Sequence, residues 1–474
     1  MFDNLRGGIT TINQRRAKAN NPYLTDYEEG KPTSYILYLD INNLYAIGLQ
    51  GNLPIKDFKW LTEEEITCLD IMSMDPDGDT WYALEVDLEY PPELHDLHND
   101  YPMAVEKKCI DTNDLSPYNQ KFLKDLGEKH NVCEKLVPDL KAKHNYVCSL
   151  KNLQFFIKHG LKLKKVHKVM SAKQEPWMAS FIQFNTDRRT EATTPQKKDL
   201  FKLMNNCTYG KLIEDIFKYR SVVAVKSVEK AQRMTSKPQV SEFHILDDEV
   251  TLIQSVPRVA NMNKPIACGF QVLEAAKNHM LYWWYDVLKA KYGSNVTLIL
   301  SDTDSLMFHV YTEDVYRDLE SIKHLMDMSP YSLRSGLYDA TNKKVIGKMS
   351  DEKPDQVISE VVALKSKMYT VKAQGHYDTP WVGDIMNTSK TAKGVPKTAK
   401  KKITFEDYSN ILKTASVNTV TFRSIRGVRH QNQTLELKKR GLSAFDDKKY
   451  ILEDGEHTLS YGHFRIPPPD TDQV

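Results

Sequence analysis

Two apolar runs joined by an acidic bend constrain this chain more than any other feature. Val296 to Leu300 and Leu306 to Val310 flank Ser301-Asp302-Thr303-Asp304-Ser305, the pattern of a hairpin with carboxylates at its turn. Far upstream, Tyr-Ile-Leu-Tyr-Leu at 35–39 reads as a buried strand that delivers Asp40 at its end. Carboxylates at two strand ends, remote in sequence and able to meet in space, suit a pair of Mg2+ ions. Such a pair, about 3.5–4 Å apart, clamps the attacking and leaving oxygens of a phosphoryl transfer. Acidic residues in a hairpin turn are also ordinary turn chemistry. What lies between the two strands decides.

Lys202-Leu203-Met204-Asn205-Asn206-Cys207-Thr208-Tyr209-Gly210-Lys211 lies between them. At about 100° per helical residue, Lys202, Asn206 and Tyr209 share one face, and apolar Leu203 and Met204 turn away from it. An ammonium, an amide and an aromatic ring make a poor core face. They suit a triphosphate, which needs cations, beside a base, which needs a flat surface for stacking. Gly210 leaves room for a backbone or a base to approach. Without the flanking aspartates, an amphipathic helix with solvated lysines explains the same pattern.

In this order, Asp40-Ile41-Asn42-Asn43-Leu44-Tyr45, Lys202 to Lys211 and Asp302-Thr303-Asp304-Ser305 resemble motifs A, B and C of family B DNA polymerases. The middle segment, Lys-x-x-x-Asn-x-x-Tyr-Gly-Lys, has the family's spelling. Lys367-Met368-Tyr369 resembles the Lys-x-Tyr motif that follows motif C in protein-primed members. Leu5-Arg6-Gly7-Gly8 is similar to a degenerate form of their Tyr-x-Gly-Gly motif. The likeness also takes in Tyr101 to Lys108, Pro176-Trp177, Phe184-Asn185-Thr186 and Leu459-Ser460-Tyr461-Gly462-His463, nearly the whole chain. It is nearest to polymerases of large self-synthesising DNA transposons (Polinton/Maverick type), which are related to protein-primed phage and adenoviral enzymes. Two departures stand out. Motif A commonly reads Asp-x-x-Ser-Leu-Tyr-Pro, where this chain has Asn43 and Ala46, and Leu5 replaces the tyrosine of the glycine motif. Asn43 retains an amide that can donate to a phosphate.

The resemblance implies an α+β right-hand polymerase with an antiparallel palm sheet, helical fingers, a thumb and insertions between the palm motifs. Asp40 and Asp304 would be the metal ligands, and Asp302 an acidic partner in catalysis. The cofactor would be two Mg2+ ions, with Mn2+ able to substitute; magnesium takes hard oxygen ligands and leaves positions for water and substrate phosphates. Ile41, Asn42, Asn43, Leu44 and Tyr45 would border the incoming nucleotide, with Tyr45 under the sugar excluding a ribose 2′-hydroxyl. Lys202 would hold the phosphates, with Asn206 on the same face and Tyr209 beside the nascent base pair. Arg189 joins as a second phosphate ligand only if the chain turns back at Pro195. Gly7, Gly8, Gly210, Lys211 and Thr303 would lie along the DNA, and Lys367 and Tyr369 would grip the primer terminus. The implied partners are a DNA template-primer, dNTPs and a terminal (priming) protein.

The expected organisation is palm 1–51, an insertion 52–170 too long to be a mere connection, and fingers 171–221. A second insertion, 222–262, has strands at Val222 to Val225 and Val250 to Ile253 around a polar loop. Palm 263–372 opens with one long helix from Asn263 to Tyr292, and thumb and tail 373–474 end in Pro467-Pro468-Pro469. Asp87-Leu88-Glu89 matches the first motif of a 3′–5′ exonuclease. In the family that domain precedes motif A, and the roughly forty residues before Asp40 are too few to fold one. The alternation from Tyr82 to Tyr90 reads instead as an edge strand with a solvated acidic face. No exonuclease domain is expected in this chain, which is compatible with the C-terminal portion of a longer protein.

Composition agrees. A chain of 474 residues, 41% hydrophobic, should divide into several subdomains. The net charge of +2 hides basic flanks: 17 Lys/Arg against 7 Asp/Glu over 151–230 (+10), and 16 against 10 over 390–474 (+6). Basic flanks around an acidic centre suit a channel that tracks phosphates. The lysine run at 397–402 reads as a solvated loop, or equally as a nuclear-import signal. Six cysteines without a Cys-x-x-Cys pair imply neither zinc nor a disulfide scaffold. The histidines show no His-Glu-x-x-His spacing, no apolar run approaches the ~20 residues of a membrane span, and no signal peptide opens the chain. The expectation is an intracellular, soluble protein with no membrane partner, working in the nucleus or at a viral or transposon replication site. A DNA-binding scaffold that kept the fold and lost catalysis is the alternative. A metal-dependent nuclease has no use for Lys202 or Tyr45.

Overall fold

The computed structural model describes residues 2–259, 261–375, 387–428 and 431–467. Pro468 and Pro469 of the expected tail lie outside them. A ten-stranded sheet forms the centre, with Thr10–Ile12, Val296–Asp302, Ser305–Tyr311, Ser34–Ile41, Val357–Lys365, Met368–Gln374 and Asn387–Ala392 in that spatial order. Neighbours along this path are antiparallel. The expected hairpin is Val296–Asp302 paired with Ser305–Tyr311, and the expected strand at 35–39 is Ser34–Ile41 between that hairpin and Met349–Asp351. Tyr35, Ile36, Leu37, Leu39 and Ile41 are all buried, so their unbroken apolar run reflects a strand covered on both faces.

One core holds these side chains together with Met280, Leu281, Trp283 and Trp284 of a long helix. That helix spans Ile266–Tyr282, widens into a π-helical stretch over Trp283–Lys289, and ends as Ala290–Tyr292. It starts at Ile266, later than the expected Asn263, because Pro265 disfavours helical backbone at Lys264. The short helix Leu44–Gln50 crosses it closely. A Cβ on Gly48 would sit 2.7 Å from Val272 Cα, so only glycine permits this approach.

A second sheet orders Leu53–Trp60, Lys162–Glu175, Thr80–Glu89 and Lys143–Ser149. Thr80–Glu89 is therefore an interior strand, not the expected edge. Its acidic face does point outward, but side chains of the neighbouring strand cover it: His167 lies 2.9 Å from Asp87, and Lys164 pairs with Glu89. The Lys162–Glu175 strand runs past position 170 and leads directly into a helical hairpin, Ala179–Glu191 and Pro195–Leu212. Thr194 caps the second helix and Pro195 occupies its first turn, which fixes the reversal at 192–194. Asn185 donates to Asn205 Oδ1 at 2.9 Å across the hairpin. Leu203 and Met204 do turn away from the Lys202 face, but into solvent, at 57% and 37% exposure.

Beyond the hairpin, Ser221–Val225, Thr251–Ser255 and Val240–Ile245 form a three-stranded sheet. The polar loop expected between the first and last strand is instead the helix Val228–Thr235 and a strand. Ser227 caps that helix by accepting from Lys230 N. Helix Phe405–Thr414 packs Tyr408, Ile411 and Leu412 against Val362, Leu364 and Met368 of the central sheet. A long ribbon follows, Val417–Val428 with Gln431–Ser443. Part of the lysine run expected as a loop is a short helix, Lys397–Lys400. Buried Arg15 ties the chain's two ends together by donating to the carbonyls of Gly455, Leu364 and Ala444. All six cysteines are free. Among the described residues no helix is long and apolar enough to cross a membrane.

Candidate active site

Asp40 stands near the end of its strand, opposite Ser305 on one side and Ser350 on the other. Asp304 immediately precedes Ser305, and its carbonyl accepts from Ile41 N at 2.8 Å. Strand pairing thus brings the two aspartates together at one end of the sheet. Burial, then the charges of Asp304 and Glu352, pushes the Asp40 carboxyl up to about 8, against the pull of Lys202 and Lys344. Burial also raises Asp304; Asp302 adds to the rise, and Lys367 and Lys202 oppose it. Two crowded carboxylates that resist ionising lack counter-charge. Among the described residues, no group of three or more His, Cys, Asp or Glu side chains is arranged to hold a metal. A divalent cation here would have these two carboxylates and leave its other positions to water and phosphate. That donor set fits magnesium.

Asp302 is differently placed. Its Oδ1 pairs with Lys367 Nζ at 2.5 Å. Thr303 adopts φ 75°, and its N–H donates to Ile9 O at 2.9 Å. Gly8 lies against this turn: a Cβ there would come within 2.4 Å of Thr303 Cγ2. Gly7 faces open space. The segment is anchored from behind, where Arg6 donates to Val147 O at 2.9 Å and Lys277 donates to Arg6 O at 3.0 Å.

Tyr45 and Tyr209 stack, with centroids 4.4 Å apart and planes 11° from parallel. Burial and the nearby charge of Asp304 raise the Tyr45 hydroxyl, and burial raises Tyr209. Ile41 and Leu44 are buried and offer only backbone to a ligand. The Asn42 amide donates to Asp327 Oδ2 at 2.8 Å. Asn43 takes a left-handed backbone at the start of the Tyr45 helix, and its side chain makes no capping bond. On the hairpin, Lys202 and Asn206 are exposed, and Arg189, half-buried, returns alongside the second helix as the turn at Pro195 requires. Space is open beside Gly210, while Lys211 pairs with Glu214 at 2.9 Å. Tyr369 is only 6% exposed, and its hydroxyl shares a 2.8 Å hydrogen bond with Tyr38 beneath the site.

Sequence reasoning missed Glu352, Lys344 and Asp327. Glu352 had a readable signal: Asp351-Glu352 closes the short strand Met349–Asp351, repeating the strand-end acid seen at Asp40. Lys344 sits in a turn and Asp327 ends the two-residue strand Met326–Asp327, too short to show a period, so neither had one.

Scanned against known protein families and against curated proteins, the sequence finds no match. Its fold, however, is similar to solved structures. Phi29 DNA polymerase in an orthorhombic crystal form aligns over 92% of this chain and 61% of its own, with TM-score 0.52 and 14% identity. Phi29 DNA polymerase complexed with primer-template DNA and incoming nucleotide substrates aligns over 93% and 61%, with TM-score 0.51 and 15% identity. The chain has a DNA polymerase fold and spans less than two thirds of that polymerase's length.

Proposed function

We propose that this chain is a template-directed DNA polymerase that adds dNTPs to a primer 3′-hydroxyl by two-metal-ion phosphoryl transfer. The observation that carries this reading is the placement of Asp40, near the end of its strand, beside Asp304 at the bend that opens the adjacent strand, both within reach of the Lys202 charge. Asp40 and Asp304 would hold the cations, two Mg2+ or Mn2+ in their place, with Asp302 as the neighbouring acid. Bound there, the ions would supply positive charge for activation of the primer hydroxyl and for departure of pyrophosphate. Lys202 neutralises the incoming triphosphate, Arg189 supports it from the facing helix, and the Asn43 amide donates to a phosphate oxygen. Tyr45 forms the wall beneath the sugar. Tyr209 presents its ring to the nascent base pair once the stack with Tyr45 parts.

The central sheet is the palm in this reading, from segments 1–51 and 263–372. The hairpin within 171–221 is the fingers, 373–474 is the thumb and tail, and 52–170 and 222–262 are the insertions. DNA and incoming nucleotides are named for the phi29 enzyme and support the same partners here. The Lys367-x-Tyr369 and Gly7-Gly8 segments support a protein-primed start, with a terminal protein supplying the first hydroxyl, in the nucleus or at a viral or transposon replication site. Asp87 and Glu89 are engaged by His167 and Lys164, which supports the absence of 3′–5′ degradation by this chain.

Primer extension with the purified chain, Mg2+ and dNTPs tests the proposal. Extension by wild type that disappears in Asp304→Ala is the expected result. Primer-template binding without any extension would replace the polymerase with the non-catalytic scaffold.

A further inference from the structure

We propose that Lys344 is a second phosphate-binding cation of this site, directed at the β- and γ-phosphates that leave as pyrophosphate. The inference rests on the polymerase reading above.

The loop that carries Lys344 is zipped to the residues after Asp40. Gly347 N donates to Asn42 O at 3.0 Å, and Asn42 N donates to Lys348 O at 2.9 Å. Asp327, fully buried, locks the same pair from inside: Oδ2 accepts Asn42 Nδ2 at 2.8 Å and Lys344 N at 2.9 Å. Its Oδ1 accepts Ser329 N at 3.0 Å and Ser329 Oγ at 2.6 Å. Both oxygens are therefore satisfied without the lysine ammonium. Lys344 Nζ stands 3.7 Å from Asp327 Oδ2, long for an ion pair, and the side chain is 40% exposed. A lysine held at φ 57° adopts a backbone that L-residues rarely take, which fixes where its side chain starts.

The ammonium is thus placed and not consumed. Its charge reaches Asp40, as does that of Lys202 from the hairpin. Lys344 also lines a cavity of about 440 Å3 shared with Gln183, Thr186 and Thr190, on the helix that carries Arg189. Asp187 and Glu191 line the cavity too. Gln183 donates to Asp187 at 2.7 Å and Arg188 pairs with Glu191 at 3.4 Å, so each acid has a partner on its own helix. Lys343 lines the cavity as well and adds a second cation to it. A triphosphate tail carries more charge than Lys202 alone can balance, and a point-charge ammonium suits it.

Steady-state primer extension and its reversal by inorganic pyrophosphate, in Lys344→Ala and Lys344→Arg, test this. Loss of one phosphate contact should raise KM for dNTP about 10-fold in Lys344→Ala, with kcat within about 2-fold. The reverse reaction should need correspondingly more pyrophosphate, and Lys344→Arg should restore most of both. If Lys344 merely balances Asp327, the melting temperature and kcat fall while both KM values stay, and the proposal is overturned. KM values unchanged in a stably folded variant overturn it equally. Should Lys344→Ala fail to fold, Lys344→Gln reads the same quantities. Wild type that extends no primer sinks the polymerase reading and this assignment with it. Wild-type extension with unmoved KM in the variants sinks this assignment alone.

Discussion

Tyr45 and Tyr209 close on each other face to face, 4.4 Å between ring centroids, and join the short helix after Asp40 to the projecting hairpin. In the proposed polymerase an incoming base would need the face of Tyr209 that Tyr45 now covers, and nucleotide entry would displace the stack. The Tyr45 ring would then form the proposed wall beneath the sugar. Replacing it with a smaller side chain, Tyr45→Val, should open space for a 2′-hydroxyl and lower discrimination against ribonucleotides by roughly 100-fold, the scale of a steric pocket. The ratio of kcat/KM for dNTP and rNTP measures this. An unchanged ratio removes Tyr45 from the role of gate.

Asp40 links the site to pH and to cations. Its carboxyl is pushed up to about 8 by burial and by Asp304 and Glu352, against about 4 in an unfolded chain. Between those values the folded protein holds a proton that the unfolded chain has released, so stability falls as pH rises from about 4 to about 8. In the absence of metal, wild type should melt at a lower temperature near pH 8.5 than Asp40→Asn, which is always neutral, and the variant should show a flatter pH slope. Mg2+ should raise the wild-type melting temperature at that pH and leave the variant nearly unmoved. Calorimetry at matched ionic strength reads both. Parallel pH slopes for the two proteins would count against a buried, uncompensated Asp40.

The local elements that carry this candidate site were legible in the sequence. An apolar run broken by an acidic turn fixes strand, bend and return strand together, so Val296–Asp302 and Ser305–Tyr311 appear where the pattern places them. Pro195 marked the reversal that brings Arg189 back alongside the Lys202 helix. Long-range pairing was not legible. Thr80–Glu89 looks like an edge because alternation records one wet face, yet an edge is defined by partners, and Lys162–Glu175 and Lys143–Ser149 take both sides. The helix Val228–Thr235 hid in a polar stretch because none of its residues is buried and its apolar stripe is thin. Glu352 reaches Asp40 through pairing of Met349–Asp351 with the Asp40 strand, and Lys344 through the backbone bonds of Gly347 and Lys348 with Asn42, long-range contacts that no local period announces. Burial of Tyr369 under Tyr38 has the same origin.

Gly8 and Thr303 predict a clash that can be relieved. A methyl at Gly8 would meet Thr303 Cγ2 at 2.4 Å and Cβ at 3.0 Å, so the turn between Asp302 and Asp304 must shift. Gly8→Ala should therefore lower kcat by about 10-fold or more, since a small misplacement of catalytic groups is costly, with little change in KM for dNTP. Adding Thr303→Ser removes Cγ2 and should recover part of the loss. Double-variant activity no better than Gly8→Ala would mean that the glycine acts elsewhere.

Asp302 and Lys367 predict a coupled pair. The 2.5 Å contact pairs Asp302 with an ammonium, so its charge would do less for the proposed cations than that of Asp304 and more for holding the turn. Asp302→Asn should reduce kcat by about 10-fold, far less than the loss in Asp304→Ala, because a positioning contact is removed and not a metal ligand. Lys367→Met leaves Asp302 unpaired beside Asp304, which raises the carboxyl charge at the site and should cost at least as much activity. Since both substitutions break one interaction, the double variant should lose much less than the product of the single losses. Kinetics of the three variants at saturating Mg2+ decide it. Strictly multiplicative losses would mean that Lys367 serves another partner, such as the primer terminus, independently of Asp302.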